Sequence, residues 1–319
     1  MSEEEMYYSI VIPMYNSGDW IQELTSKITD VLKITNKKFE IILVNDCSPD
    51  LTTWDKIVET CKVNKNVKGI NLMRNTGQYR ATIAGLDRAM GKYVVTMDDD
   101  FQHKPEELIK LINAIEKDNK YDCVFGIYGE RKDSFIRKIG SKAFNKLNEK
   151  IYKRPKGIKI SSFRIMKRDI AKALVMYKTT KPQVGPLILK ITNKVGNVIV
   201  EHQERIYGKS GYKLSKLISE TIMSIINVST LPLDIMSWLG FLSSFFSAVV
   251  GVIYLILYLL GRAKVPGFTT LILSTTFFSG SILFSIGILG KYIGRIINEL
   301  TGLPNYIIKE EIDGDKNLK

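Results

Sequence analysis

A chain of 319 residues can hold two ordinary domains, and a mean hydropathy of -0.01 with 25% charged residues means that its apolar residues are concentrated in one part. The formal charge of +13 and pI near 9.4 call for an anionic partner, without choosing among nucleic acid, anionic lipid and a phosphorylated substrate. Three scattered cysteines, Cys47, Cys61 and Cys123, with only His103 and His202 to join them, disfavour a zinc cluster or a disulfide framework and fit a reducing, cytoplasmic setting.

In chain order, the N-terminus opens on Glu3, Glu4 and Glu5 instead of a basic segment with an apolar core, which reads as no signal peptide. Apolar runs over 9–15, 39–44, 67–72, 93–97 and 123–127 predict buried strands, and the segments 20–32, 51–61, 79–90 and 105–116 predict helices between them. Such alternation implies a mostly parallel sheet covered by helices. A helix over 134–152 carries Phe135, Ile139, Phe144, Leu147 and Ile151 among basic residues; bordering an acceptor or a membrane and packing on the sheet both suit it. Residues 212–227 place Leu214, Leu217, Ile218, Ile222 and Ile225 at helical spacing after early lysines, the pattern of a helix lying at a membrane surface, or of one packed on a soluble domain. Residues 238–260 and 268–290 then run without a charge, each longer than the roughly 20 residues that cross a bilayer, so a transmembrane hairpin is expected. Lys209, Lys213, Lys216, Lys291 and Arg295 flank it, against Arg262 and Lys264 in its short loop, which favours a cytoplasmic main domain. The small pairs Ser243/Ser247 and Gly290/Gly294 permit close helix approach and self-association, and the charged tail after Lys309 reads as loosely ordered.

In an open parallel sheet, ligands sit beyond the carboxyl ends of the strands. Those ends are polar here: Pro13, Tyr15 and Asn16 after the first, Asn45 and Asp46 after the second, Asn75 to Gln78 after the third, and Asp98, Asp99 and Asp100 after the fourth. Three successive carboxylates are tolerated when solvated, when capping a helix, or when binding a cation. Pro105, Glu106 and Glu107 start the next helix and account for part of the acidity, but that start is too far from Asp100 for the whole triplet to be caps. An EF-hand fails, because His103 stands where Gly is needed and Ile109 where Glu is needed. The alternate residues Asp98, Asp100 and Gln102 can point oxygen ligands into one space, a sparse set that suits Mg2+ or Mn2+ bridged to a diphosphate. Asp46 is placed either to bond a ribose or base or to form a turn with residues 47–50. Gly85 to Lys92 misses a phosphate-binding P-loop by its spacing and by Tyr93, and only Gly18 follows the first strand, so a nicotinamide cofactor is disfavoured. No nucleic-acid motif accompanies the positive charge.

The segments S-I-V-I-P-M-Y-N at 9–16, I-L-V-N-D-C-S-P-D at 42–50, N-T-G-Q at 75–78 and M-D-D-D-F-Q-H-K-P-E-E at 97–107 resemble family 2 glycosyltransferases. S-F-R-I-M at 162–166, R-I-Y-G-K-S-G-Y at 205–212 and G-K-Y-I-G-R-I at 290–296 extend the resemblance to the polyprenyl-phosphate branch, which includes dolichyl-phosphate mannose synthases and undecaprenyl-phosphate sugar transferases. The resemblance implies an α/β fold of GT-A type: a Rossmann-like, mixed, mostly parallel sheet with helices on both faces, followed by interfacial helices and a two-helix transmembrane hairpin. The domains are then 1–210 cytoplasmic and catalytic, 211–234 juxtamembrane, 235–297 transmembrane and 298–319 a cytoplasmic tail, in a multi-pass protein of the cell inner membrane.

It further implies inverting, metal-dependent transfer of a sugar from a nucleotide sugar, UDP-linked by the look of the N-T-G-Q segment and two-span tail, to undecaprenyl phosphate for cell-envelope glycan modification. Pro13, Tyr15, Asn16, Asp46, Asn75, Gln78, Asp98 and Asp99 would bind the nucleotide sugar, and Asp98, Asp100 and Gln102 the divalent metal. Asp98, Asp100 and Arg205 would be catalytic, while Arg131, Arg137, Arg164, Arg205, Ser210 and Lys213 would meet phosphates. Three positions depart from the pattern: Asn45 replaces a frequent acid, Ser162 a frequent Asp before F-R, and Lys291 a frequent Glu before Tyr292. A processive polysaccharide synthase would carry Q-x-x-R-W, and the chain has no Arg-Trp pair. A membrane-tethered nucleotide-sugar-binding protein without catalysis shares the binding motifs and stays open at this level.

Overall fold

The computed structural model describes residues 6–117, 120–129, 155, 157–177, 179, 182–201, 231–261, 267–300 and 304–314. The helices expected over 134–152 and 212–227, and Arg131, Arg137, Arg205, Ser210 and Lys213, lie outside the described residues. The chain divides into two compact units, Met1–Ser210 with Gly302–Lys319, and Gly211–Thr301.

The first unit is built on β1 (Tyr8–Met14), β2 (Phe39–Asn45), β3 (Val67–Leu72), β4 (Tyr93–Thr96), β5 (Cys123–Tyr128), β6 (Arg164–Lys167), β7 (Val195–Val200) and β8 (Ile308–Asp313). They form one sheet in the order β7-β5-β6-β4-β1-β2-β3-β8. Neighbours β4-β1-β2-β3 and β5-β7 run parallel, whereas β6 opposes both β4 and β5, and β8 opposes β3. Every residue of β1 and β2 is buried, which is why both read as continuous apolar runs instead of alternating ones.

Helices α1 (Ile21–Lys33), α2 (Thr52–Val63), α3 (Gln78–Arg88) and α4 (Leu108–Glu116) connect the parallel strands, and α5 (Arg168–Met176) and α6 (Val184–Ile191) follow β6. Leu24, Ile28 and Leu32 of α1 and Leu108, Leu111 and Ile115 of α4 pack with Ile10, Ile12, Ile41 and Leu43 on one face of the sheet. On the other face α3 lies on β1 and β2. Gly85 makes that approach possible, since a Cβ there would collide with Val11 and Val44. The glycine of the near-miss P-loop is thus a packing residue.

The structure corrects the reading of the tail. Ile308–Asp313 is an edge strand with ladder partners from Lys68 to Leu72, and the Gly314 N–H donates to the Val67 carbonyl. The sequence hides this strand because it pairs at a solvated edge, so its run of lysine and glutamates carries no apolar rhythm.

The second unit contains α7 (Leu231–Leu259) and α8 (Phe268–Leu300). Within them Pro232–Leu259, with mean hydropathy 2.2, and Phe277–Ile297, with 1.4, are long and apolar enough to cross a membrane. The hydroxyls of Thr275, Ser281 and Ser285 donate to the carbonyls of Leu271, Phe277 and Ser281, so these polar side chains are satisfied within their own helix, as lipid surroundings require.

Candidate functional site

The polar residues that follow β1 to β4 gather along the carboxyl edge of the sheet. Asp46, buried just after β2, accepts the Thr76 N–H at 2.7 Å and hydroxyl at 2.9 Å through Oδ1, and the Gly77 N–H at 2.8 Å through Oδ2. Burial raises its pKa, against the pull of those hydrogen bonds and of Arg80. Gly77 has φ +87°, the left-handed region that glycine enters freely, and it turns the chain into α3. Asp46 and the Asn75–Gln78 loop therefore do meet, with the carboxylate acting as the clamp of that loop. Tyr15 is half exposed at 49%, and Asn16, at φ +57°, donates its N–H to the Ser48 hydroxyl at 3.0 Å.

The acidic turn is held from several sides. Asp98 accepts the Gln78 amide at 2.6 Å on Oδ1 and the Ser162 hydroxyl at 2.6 Å on Oδ2. Its N–H donates to Nδ1 of buried His103 at 3.3 Å, and that ring stacks on Phe163 with centroids 4.8 Å apart. The Ser17 hydroxyl donates to the Asp99 carboxylate, and the Trp20 indole to the Asp99 carbonyl at 2.6 Å. Burial, with Asp98 and Asp100 adding their charge, pushes the Asp99 carboxyl up to about 7 although Ser17 opposes it. Asp100 accepts the Gln102 N–H at 3.1 Å, and Phe101 sits buried at φ +58°. β4 ends at Thr96 and the chain bends from Asp99 to Gln102, so the acidic run forms a turn at the carboxyl edge of the sheet.

Beside the turn opens a cleft of about 300 Å³, lined by Pro13, Gln78, Tyr79, Asp98, Ser162 and Arg164 among others. Arg164 is 4% exposed and sits at the start of β6, opposite Thr96. Its Nε donates to the Thr96 hydroxyl at 2.9 Å and to the Ser162 carbonyl at 3.3 Å, and its guanidinium lies 6.0 Å from the Phe125 ring centre. Nη1 is buried with no hydrogen-bond partner among the described residues. Burial lowers the Arg164 pKa, with Asp98 opposing. Arg164 thus brings a buried positive charge to the lining of an open cleft, which favours an anion there, while its Nη1 is enclosed.

Among the described residues no three His, Cys, Asp or Glu side chains gather into a cation cage. The donor chemistry nonetheless fits a hard divalent cation that takes one or two carboxylates and fills its shell with phosphate oxygens, Asp98 and Asp100 being the carboxylates at hand. Sequence reasoning assigned no role to Ser17, Trp20, Thr96 or His103. The contacts of Ser17, Trp20 and Thr96 reach across 82, 79 and 66 residues, whereas His103 meets the Asp98 N–H from 5 residues away.

A model of the family described as "Glycosyl transferase family 2" matches residues 9–175. An uncharacterized glycosyltransferase, YkcC, of Bacillus subtilis is 30% identical, over 95% of this chain and 93% of its own. An undecaprenyl-phosphate 4-deoxy-4-formamido-L-arabinose transferase of Yersinia enterocolitica is 29% identical, over 99% of this chain and 97% of its own. Among solved structures, glucosyl-3-phosphoglycerate synthase from Mycobacterium tuberculosis in complex with UDP is similar in fold, with a TM-score of 0.51 at 14% identity over 70% of this chain and 79% of that one.

Proposed function

The chain belongs to glycosyl transferase family 2, and from that premise we propose that it moves a sugar, with inversion, from a UDP-sugar to undecaprenyl phosphate at a membrane surface. The observation that carries the reading is the cleft lined by both Asp98 of the acidic turn and the buried Arg164. Such a cleft offers carboxylates for a cation on one wall and a buried guanidinium for a phosphate on another. Near-full-length similarity to an undecaprenyl-phosphate sugar transferase supports the acceptor, and the two apolar helices supply a means of staying beside it.

In this reading an acceptor phosphate oxygen attacks the anomeric carbon, the bond from that carbon to the diphosphate oxygen breaks, and UDP leaves with the electron pair. A phosphate monoester is already largely anionic near neutral pH, with a second pKa of about 6, so the step needs no general base. Pro13, Tyr15, Asn16 and the loop clamped by Asp46 hold the nucleoside, with Asn75 and Gln78 beside it. Asp98 and Asp100, with Gln102 near, would hold Mg2+ or Mn2+, which when bound would supply positive charge against that of the departing diphosphate. Arg164 steadies phosphate charge from inside the cleft; Arg131, Arg137, Arg205, Ser210 and Lys213 are assigned to the same task. Asp99, committed to Ser17, shapes the turn. Because the chain leaves the sheet after β7 and rejoins it as β8, any crossings between them are even in number, which suits a two-span protein, and Lys291 and Arg295 beside the second span favour a cytoplasmic sheet unit.

The test uses the full chain in detergent micelles with Mg2+, a panel of UDP-sugars and undecaprenyl phosphate. Release of free UDP from at least one sugar, dependent on the lipid phosphate, is the expected result. Release that ignores the lipid, or none from any member, overturns the reading.

A further inference from the structure

We propose that Glu310, on the strand that follows the helical hairpin, is a positioning residue for the nucleotide site, acting through a polarised row of hydrogen bonds, Glu310–Asn71–Asn45–Ser48, that ends on the backbone of Asn16. The inference rests on the reading of Tyr15, Asn16 and Asp46 as nucleotide-binding residues.

The row follows the register of the sheet. Asn45 on β2 is paired with Asn71 on β3, and Asn71 with Glu310 on β8. The Asn71 amide donates to Glu310 Oε1 at 2.8 Å, and the Asn45 amide donates to Asn71 Oδ1 at 2.9 Å. Asn45 Oδ1 then accepts both the Ser48 hydroxyl at 2.6 Å and the Ser48 N–H at 3.2 Å. With its proton spent on Asn45, the Ser48 oxygen offers a lone pair, and the Asn16 N–H takes it at 3.0 Å. Asn45, Asn71 and Ser48 are all buried, so water is a poor substitute for a partner lost within the row, whereas the Glu310 side chain is 43% exposed and its loss is the milder one.

Every donor in this row points the same way, toward Glu310. A carboxylate only accepts, so Asn71 must turn its NH2 group outward to β8 and its carbonyl inward. Asn45 must then give its own NH2 group to Asn71, which leaves its carbonyl to fix Ser48. Each link determines the orientation of the next, and the last one fixes the N–H of Asn16, which stands in a left-handed conformation, φ +57°, that asparagine enters more readily than most residues. Ser48 also lies two residues after Asp46, so the row steadies both strand ends that flank the nucleoside. Position 45 is where the family pattern often has an acid. An aspartate here cannot donate to Asn71, and turning Asn71 over would set its carbonyl against Glu310. The amide at 45 and the acid at 310 therefore belong together.

The experiment measures UDP affinity by calorimetry on the full chain in detergent micelles with Mg2+, and the melting midpoint alongside. Glu310→Ala is expected to weaken UDP binding about threefold, and Glu310→Gln, whose carbonyl still accepts, to match the native chain. Asn45→Asp should weaken binding about tenfold, and Asn45→Asp with Glu310→Gln should recover most of it, because Asn71 can turn over and be satisfied on both sides. Should Asn45→Asp not fold, recovery of folding in the double variant supports the row, and the Glu310 pair still decides on affinity. The inference falls if Glu310→Ala lowers the melting midpoint with UDP affinity unchanged, or if Glu310→Gln fails to rescue Asn45→Asp. Asp46→Ala separates the two levels. If it binds UDP normally, the nucleotide reading itself is wrong; if it alone loses UDP while the Glu310 and Asn45 variants keep it, only the positioning role is wrong.

Discussion

The two units of this chain place their apolar side chains in opposite ways. In the sheet unit Ile10, Ile12, Leu24 and Leu43 are wholly enclosed, and the strand ends that reach water are polar. In the helical unit Trp238, Phe241 and Leu283 are 66%, 62% and 69% exposed, and the serine and threonine hydroxyls bond back to their own helix. Equal exposure thus means different things in the two places. Exposed apolar surface on the sheet unit is scattered and tolerated, whereas the continuous apolar surface of α7 and α8 demands a lipid solvent. The family match lies on the first unit, and the helices long and apolar enough to cross a membrane lie on the second.

The largest expected effect tests that division at the acidic turn. Asp98→Asn keeps the side-chain shape and removes the charge; sugar transfer should fall about 100- to 1,000-fold, with the melting midpoint and membrane retention close to native. Transfer rates from a lipid-phosphate assay and sedimentation with membranes check both halves. Activity within threefold of native would mean that the carboxylate is not part of the chemistry.

A next, smaller effect compares the solvents directly. Leu283→Lys on α8 and Val63→Lys at the end of α2 replace residues of 69% and 81% exposure. A lysine in the middle of a membrane-spanning helix costs about 3 kcal/mol, against less than about 0.5 kcal/mol for a substitution on an aqueous surface. Leu283→Lys should therefore lower the yield of membrane-inserted protein severalfold, and Val63→Lys should leave it unchanged. Equal yields would place α8 in water.

Much of this contrast is legible in the amino-acid sequence. The strand runs over 39–44 and 67–72 and the helix over 105–116 fall on β2, β3 and the Pro105-initiated helix within a residue or two, because buried parallel strands are continuously apolar and proline marks a helix start. The acidic turn and Asp46 announce themselves as polar groups at strand ends. What stays hidden depends on partners distant in sequence: β8 is legible only once its ladder to β3 exists, and the supports from Ser17 and Ser162 reach the acidic turn across 82 and 64 residues. The left-handed Phe101 between Asp100 and Gln102 is likewise hidden, since no propensity for phenylalanine foretells it.

The smallest expected effect concerns a polar latch at the far side of the sheet unit, where water, not lipid, sets the electrostatics. Asp122 accepts the Thr192 hydroxyl at 2.7 Å and the Lys167 ammonium at 3.0 Å, joining the start of β5 to the ends of β6 and α6. Partial burial works to raise its pKa, but Thr192 and Lys167 outweigh it and hold the carboxyl below the ordinary carboxylate value. A depressed carboxylate stabilises the fold above the pKa of its unfolded form, about 3.9, and that contribution drains away as acid protonates it through its lower folded value. Asp122→Asn should consequently lower the melting midpoint at pH 7 by an amount worth at most about 1 kcal/mol, and the gap to the native chain should close as the pH falls below about 4. A gap at Asp122 that widens in acid would reverse the assigned sign and with it the account of the latch.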